Sequence, residues 1–213
     1  ISLDLSAHPF AFAAGQAVMV GLHHSPLRKP YSIASAPWEL EKTGQLQLLA
    51  QIDDSGSPDP HLELAESGTL IDLEGPFGTF AVPAEYGDAP LVFVAGGTGI
   101  APLRSMLMER LARPPLPRIG VIYSARTPDE FAYRTELEAL AAAGRITLEL
   151  TVTRPDAAWT GRRGRIDAIA LKRAMPGGQL LALVCGPPPL IVDVTAWLRE
   201  LGVDPDRILI EKY

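Results

Sequence analysis

The residues best suited to chemistry fall in four short runs. In the first, the apolar segment Leu91-Val92-Phe93-Val94-Ala95 leads straight into Gly96-Gly97-Thr98-Gly99 and then Ile100-Ala101-Pro102-Leu103. This reads as a buried strand, a glycine turn and the start of a helix. Gly96, Gly97 and Gly99 lack a Cβ, so the backbone there can take positive φ and come close to a ligand. A helix starting at Ala101 would also point unpaired N–H groups at an anion. A phosphate suits such a turn, although a ligand-free βα turn uses the same residues. The run is not a Walker loop, since no Lys-Ser or Lys-Thr follows it, and it lacks the G-x-G-x-x-G spacing. The second run, Arg28-Lys29-Pro30-Tyr31-Ser32, joins two cations to a flat ring and a hydroxyl. A phosphorylated aromatic cofactor would need those groups for charge pairing, stacking and a hydrogen bond. Taken singly, a proline turn into a strand, with Tyr31 half buried, is the simpler reading of the same residues. The third and fourth runs are Cys185-Gly186-Pro187 and the terminal Glu211-Lys212-Tyr213.

Cys185 is the only cysteine, so an internal disulfide is excluded. With four scattered histidines it leaves no usual zinc or iron–sulfur ligand set. Redox chemistry would have to come from an organic cofactor, and no metal site is expected.

The pattern that positions these runs changes near residue 83. Up to Val82 the chain holds short alternating segments broken by Gly, Pro, Asp and Ser: Ile1–Leu5, Ala17–Leu22, Tyr31–Ala34, Gln45–Ile52 and Leu70–Glu74. That is the pattern of a small antiparallel barrel, with one short helix around Pro60–Ala65. Residues 83–90 form a proline-bounded polar connector. Thereafter apolar strands at 91–95, 118–123, 147–152, 180–184 and 207–211 alternate with helical stretches at 101–112, 132–143, 166–174 and 188–201. The alternation predicts a five-stranded parallel sheet with helices on both faces. Ligands of such sheets sit at the carboxyl ends of the strands, here Gly96–Gly99, Ser124–Arg126, Thr153–Arg154, Cys185–Pro187 and Glu211–Tyr213.

The net charge of −6 conceals two halves. Residues 1–90 hold twelve acidic and three basic side chains, while residues 91–213 hold thirteen acidic and sixteen basic. An acidic protein is a poor candidate for general nucleic-acid binding, whereas a basic second half suits a phosphate-bearing small molecule. No apolar run approaches a membrane span, and residues 1–5 carry no signal-like block, so a cytoplasmic location is expected.

Taken together and in order, Gly15-Gln16, Lys29-Pro30-Tyr31-Ser32, Gly75-Pro76-Phe77-Gly78, the glycine turn, Cys185-Gly186-Pro187 and Glu211-Lys212-Tyr213 resemble the ferredoxin–NADP(+) reductase superfamily. The resemblance spans essentially the whole chain. It implies a six-stranded antiparallel flavin-binding barrel over residues 1–83, a linker over 84–90 and a nucleotide-binding α/β domain over 91–213. Hydride would pass from NADPH or NADH to FAD, with FMN the lesser alternative, and electrons would pass on to a redox protein or small molecule. It further implies that Tyr31 packs on the isoalloxazine, that Ser32 hydrogen-bonds near its N5, and that Gly96–Gly99 receives the pyridine-nucleotide pyrophosphate. Cys185, with Gly186 and Pro187, would lie beside the reactive nicotinamide carbon. Glu211 would orient the ring or relay protons, and Tyr213 would cover the flavin and yield to the nicotinamide.

Two departures from the family pattern bear on the flavin. Lys29, with Arg28 adjacent, stands where relatives carry an arginine, and lysine lacks the bidentate fork that grips a pyrophosphate. The phosphate loop reads Gly56-Ser57-Pro58-Asp59, in which Ser55 or Ser57 would have to replace the usual hydroxyl while Asp59 repels phosphate. For the nucleotide, Arg126, Arg154 and the pair Arg162-Arg163 could bind a 2′-phosphate, and Asp129 or Glu130 could accept from a free 2′-hydroxyl. NADPH is the expected donor. A non-catalytic flavin- or nucleotide-binding relay subunit is the alternative function. A reductase piece of a multidomain oxygenase or flavohaem protein is the other, since the chain begins inside the expected first barrel strand.

Overall fold

The computed structural model describes residues 1–52 and 61–212. Ser55, Gly56, Ser57, Asp59 and Tyr213 therefore lie outside the described residues.

In the N-terminal part, β1 (Ser2–Asp4) pairs with β4 (Gln45–Gln47), and β2 (Ala17–Leu22) pairs with both β3 (Lys29–Ser32) and β5 (Ile71–Phe77), all antiparallel. A single bridge between Ile33 and Leu48 joins the two sheets. The expected six strands are thus five among the described residues, in sheets of two and three. Val18, Val20, Ile33, Leu46 and Leu48 fill the space between them. One helix went unread in the sequence: α1 (Pro37–Thr43) has proline in its first turn, Gly44 at its end with φ 70°, and the Glu39 carboxylate accepting the Ala36 N–H at 2.7 Å. Those are ordinary start and stop signals. The helix expected near 60–65 is only a 3₁₀ turn over Leu62–Leu64.

The C-terminal part alternates as expected through β6 (Leu91–Gly96), α2 (Ile100–Ala112), β7 (Ile119–Ala125), α3 (Arg134–Ala142), β8 (Thr147–Val152), β9 (Arg162–Arg163), α4 (Ala168–Ala174), β10 (Leu181–Gly186), α5 (Pro188–Glu200) and β11 (Ile208–Lys212). The parallel sheet has six strands, not five, in the order β11-β10-β6-β7-β8-β9. The sixth, β9, is two arginines between glycines, too short to show any hydrophobic period. Buried on both faces, β6 sends Leu91, Phe93 and Ala95 into one core with Leu103, Met106 and Leu137, and Val92 and Val94 into another with Leu171, Val194 and Leu198. Helices α2 and α3 therefore cover one face, and α4 and α5 the other.

The strand order reverses between β6 and β10, which opens a crevice at their carboxyl ends. The N-terminal part packs beside that crevice along α2. Ser105 Oγ donates to Ser35 O at 2.7 Å, and Trp38 Nε1 donates to Met108 O at 3.2 Å. Phe80 lies within the core cluster shared with Leu91 and Met106.

Candidate active site

Two cavities meet at the glycine turn. The first, of about 500 Å³, has Lys29, Pro30, Tyr31 and Ser32 on one wall, and Thr98, Gly99, Cys185 and Glu211 on the other. Strand β3 supplies the first wall. The ends of β10 and β11 supply much of the second, because Cys185 and Glu211 are register partners on adjacent strands. One carboxylate oxygen faces both sides: Glu211 Oε2 stands 3.5 Å from Ser32 Oγ and 3.8 Å from Cys185 Sγ. These are loose contacts, so all three groups can still turn toward a ligand.

Burial sets the protonation of this cluster. Cys185 is 2% exposed, and burial, reinforced by the neighbouring Glu211 charge and hydrogen bond, pushes its thiol far above the usual range. It is an S–H donor and a small packing group, not a thiolate nucleophile. Burial also raises the Glu211 carboxyl, partly offset by the hydrogen bonds from Cys185 and Ser32. Burial, with the Glu63 charge, raises the Tyr31 phenol and keeps the ring neutral.

The Cys185 shift gives a stability prediction. A thiol whose native pKa is raised stabilises the fold fully below its unfolded value of 9.0, and that contribution declines as pH climbs from there toward the native value. Over that window the unfolded chain has lost a proton that the native chain keeps, so stability should fall by up to about 1.4 kcal/mol per pH unit. Chemical denaturation at several pH values above 9 should show a shallower decline for Cys185→Ser than for the unsubstituted protein.

The second cavity, of about 370 Å³, lies on the other side of the turn. It is bordered by Gly96 and Gly97, by Arg126, Glu130 and Arg154 from the ends of β7 and β8, and by Pro187 and Trp197. Arg165 also lines it, a position sequence reasoning missed because no strand end was expected there. Gln51 borders both cavities.

Not every expected residue arrives. Arg28 lies outside both cavities, its guanidinium held by Asp72 Oδ2 and Ser25 O, each at 2.6 Å. Arg162 is paired with Asp167, and Arg163 donates to Trp159 O. Glu130 lines the second cavity, whereas Asp129 does not. Gly186 closes the end of β10 behind Cys185.

The glycines also differ from expectation. Of the three in the turn, only Gly97 takes positive φ, at 54°. At Gly99 a Cβ would meet Cys185 O at 2.4 Å, and at Gly96 it would meet the Leu190 side chain at 2.8 Å. Gly99 thus lets the turn close on the end of β10, and Gly96 lets the start of α5 close on the end of β6. Pro188 opens α5 and Pro189 follows it, so the first two N–H groups of that helix are missing, whereas α2 begins without a side-chain cap.

The donor set matches two phosphorylated, flat-ringed ligands. An aromatic face, a hydroxyl and an amine line the first cavity, and three exposed guanidiniums border the second. Among the described residues no cluster of three or more His, Cys, Asp or Glu could hold a metal, and no helix is long and apolar enough to cross a membrane. Fold and site together define a two-part protein with a dinucleotide-type crevice at its seam.

Comparison with known proteins makes the class specific. Residues 1–82 match the oxidoreductase FAD-binding domain, and residues 93–196 match the oxidoreductase NAD-binding domain. The chain is 34% identical to ferredoxin–NADP reductase B of Sorangium cellulosum, covering 96% of this chain and 86% of that one. It is 29% identical to the toluate 1,2-dioxygenase electron transfer component of Pseudomonas putida, covering 98% of this chain but only 60% of that one. In fold it is similar to the Amycolatopsis cytochrome P450 reductase GcoB, with a TM-score of 0.81 at 24% identity over 97% of this chain and 62% of that one. The chain belongs to the ferredoxin–NADP(+) reductase superfamily of FAD- and NAD(P)H-dependent oxidoreductases.

Proposed function

We propose that this chain is the reductase unit of an electron-transfer system, taking electrons from NADPH and delivering them to a redox protein such as a ferredoxin or an oxygenase component. The observation that carries this reading is Glu211 Oε2, which faces Ser32 from one half and Cys185 from the other across a single cavity. Residues 1–83 form the flavin-binding unit, 84–90 the connector and 91–213 the nucleotide-binding unit.

When bound, the flavin supplies a hydride acceptor that can release electrons onward, and the nicotinamide supplies the hydride. The protein's own groups hold that chemistry in place. Tyr31 offers a neutral ring for stacking, Lys29 an ammonium for a flavin phosphate, and Ser32 Oγ a proton for a ring nitrogen. Cys185 remains a thiol, fills the end of the crevice and excludes water from it. Glu211 in its ionised form accepts the Cys185 S–H, holds the Ser32 hydroxyl only until that proton turns to the flavin, and offsets the positive charge a nicotinamide ring gains as its hydride leaves. The N–H groups of the Gly97–Gly99 turn that leads into α2 suit the nucleotide pyrophosphate.

Arg126, Arg154 and Arg165 favour NADPH over NADH, since a 2′-phosphate can accept charge-assisted bonds from guanidinium. Alanine at any one of them should lower kcat/KM for NADPH by roughly ten- to a hundredfold while leaving NADH nearly unchanged, because one charge-assisted hydrogen bond is worth about 1.5–3 kcal/mol. Steady-state kinetics with both nucleotides and ferricyanide as acceptor would measure this. The same assay tests the reading as a whole: sustained nucleotide oxidation supports it, and tight flavin retention without turnover would make the chain a binding subunit instead.

A further inference from the structure

Arg104 is 3% exposed, a rare location for a formal charge. Its guanidinium uses two forks. Nε and Nη2 donate to the two oxygens of Glu136, both at 2.7 Å, while Nη1 and Nη2 donate to the two oxygens of Glu39, both at 3.0 Å. The remaining Nη1 proton goes to Ala34 O at 2.8 Å, so all five N–H groups are satisfied. The guanidinium carbon also lies 4.7 Å from the Tyr133 ring centroid.

The partners come from three places that border the site. Arg104 is on α2, one turn beyond the glycine turn. Ala34 lies two residues after Ser32, and the adjacent Ser35 carbonyl accepts from Ser105, so α2 grips the chain immediately downstream of the flavin-side wall. Glu39 lies in the first turn of α1 and also accepts the Ala36 N–H, fixing the entry to that helix. Glu136 and Tyr133 end the segment that starts with Arg126 and Glu130 at the nucleotide-side cavity.

We propose that Arg104 is a positioning residue: its two carboxylate forks and its bond to Ala34 O hold the Tyr31–Ser32 wall in register with Cys185 and Glu211. A buried ion cluster is a poor source of stability, because apolar residues of similar volume commonly do as well. What a planar fork adds is orientation. Lysine at this site would keep the charge but lose both forks. The kinetic consequence rests on the reductase reading, and the structural consequence does not.

The test uses the full chain loaded with FAD, carrying Arg104→Lys or Arg104→Met. Rapid-mixing reduction by NADPH gives the limiting rate and the nucleotide concentration dependence. Hydrogen exchange across residues 31–40, measured also without cofactor, gives the position of the wall independently of activity. The expected result is a limiting rate lowered about tenfold in the lysine variant and about a hundredfold in the methionine variant, the scale for an ångström of misplacement. Half-saturating nucleotide should stay within about twofold, and exchange in 31–40 should accelerate in both variants. A lower melting temperature with limiting rate and 31–40 exchange both unchanged would overturn the proposal and leave Arg104 as structural filler. If the methionine variant does not fold, the lysine variant alone decides between these results. If the unsubstituted protein is not reduced at all, the reductase reading fails, and exchange in 31–40 still decides whether Arg104 holds the wall.

Discussion

Glu211→Ala should slow the limiting rate of flavin reduction by about a hundredfold or more, the usual cost of removing one charge-stabilising group from a water-poor site. The carboxylate is the one group that faces Ser32 and Cys185 together, so its loss frees both at once. Glu211→Gln separates shape from charge. The amide keeps the volume and one acceptor oxygen, but cannot oppose positive charge on the nicotinamide. Because burial raises the Glu211 pKa above its ordinary 4.5, the unsubstituted protein should gain rate as pH rises through that elevated value. In Glu211→Gln that limb of the profile should disappear, leaving a lower, flat rate. Stopped-flow reduction across the acid side of neutrality would show both effects. A profile that keeps its limb in the glutamine variant would assign the titration to another group.

Gly99→Ala should be nearly as damaging, for a reason the glycine turn alone does not reveal. A Cβ at Gly99 would sit 2.4 Å from Cys185 O and 2.6 Å from Cys185 C, and backbone atoms have little freedom to retreat. The end of β10 must shift, carrying Cys185 away from Glu211. We expect a loss of about 1–3 kcal/mol in stability, as for other overpacked cores, together with a limiting rate at least tenfold lower. Gly97→Ala meets a different obstacle, a left-handed backbone at φ 54°, and should cost only about 1–2 kcal/mol of strain. Thermal melts and single-turnover reduction of the two variants, side by side, would distinguish a packing joint from a phosphate loop. If Gly99→Ala changed only nucleotide affinity, the packing account would be wrong.

What could be read from the sequence followed local periodicity. Strands β6, β7, β8, β10 and β11 are apolar runs bounded by polar or glycine breaks, and they lie within a residue or two of where the pattern puts them. The glycine turn, Cys185 and Glu211 could be placed at one crevice because parallel sheets collect ligands at their carboxyl ends. Long-range choices of partner were not legible. Nothing near Arg28 announces that Asp72, 44 residues later, will take its guanidinium away from a cofactor. Arg104 likewise sits in a helix whose neighbours suggest only packing, while Glu39 and Glu136 arrive from elements far along the chain. Helix α1 was different, since Pro37 and Gly44 mark its ends, but seven residues are too few for helical periodicity to assert itself. The five alternating segments of the N-terminal part each overlap one of its five strands among the described residues; the sixth strand was implied by the family resemblance and not by the periodicity.

The proposed function requires that two dissimilar halves bring a flavin and a nicotinamide together at their seam, beside Ser32, Cys185 and Glu211. The most direct measurement mixes FAD-loaded protein anaerobically with NADPH, and separately with NADH, in a rapid-mixing spectrophotometer. The expected result is full loss of the oxidised flavin's visible absorbance in a single turnover, faster or at lower concentration with NADPH. Absorbance that survives both nucleotides, in protein shown to hold its flavin, would contradict it.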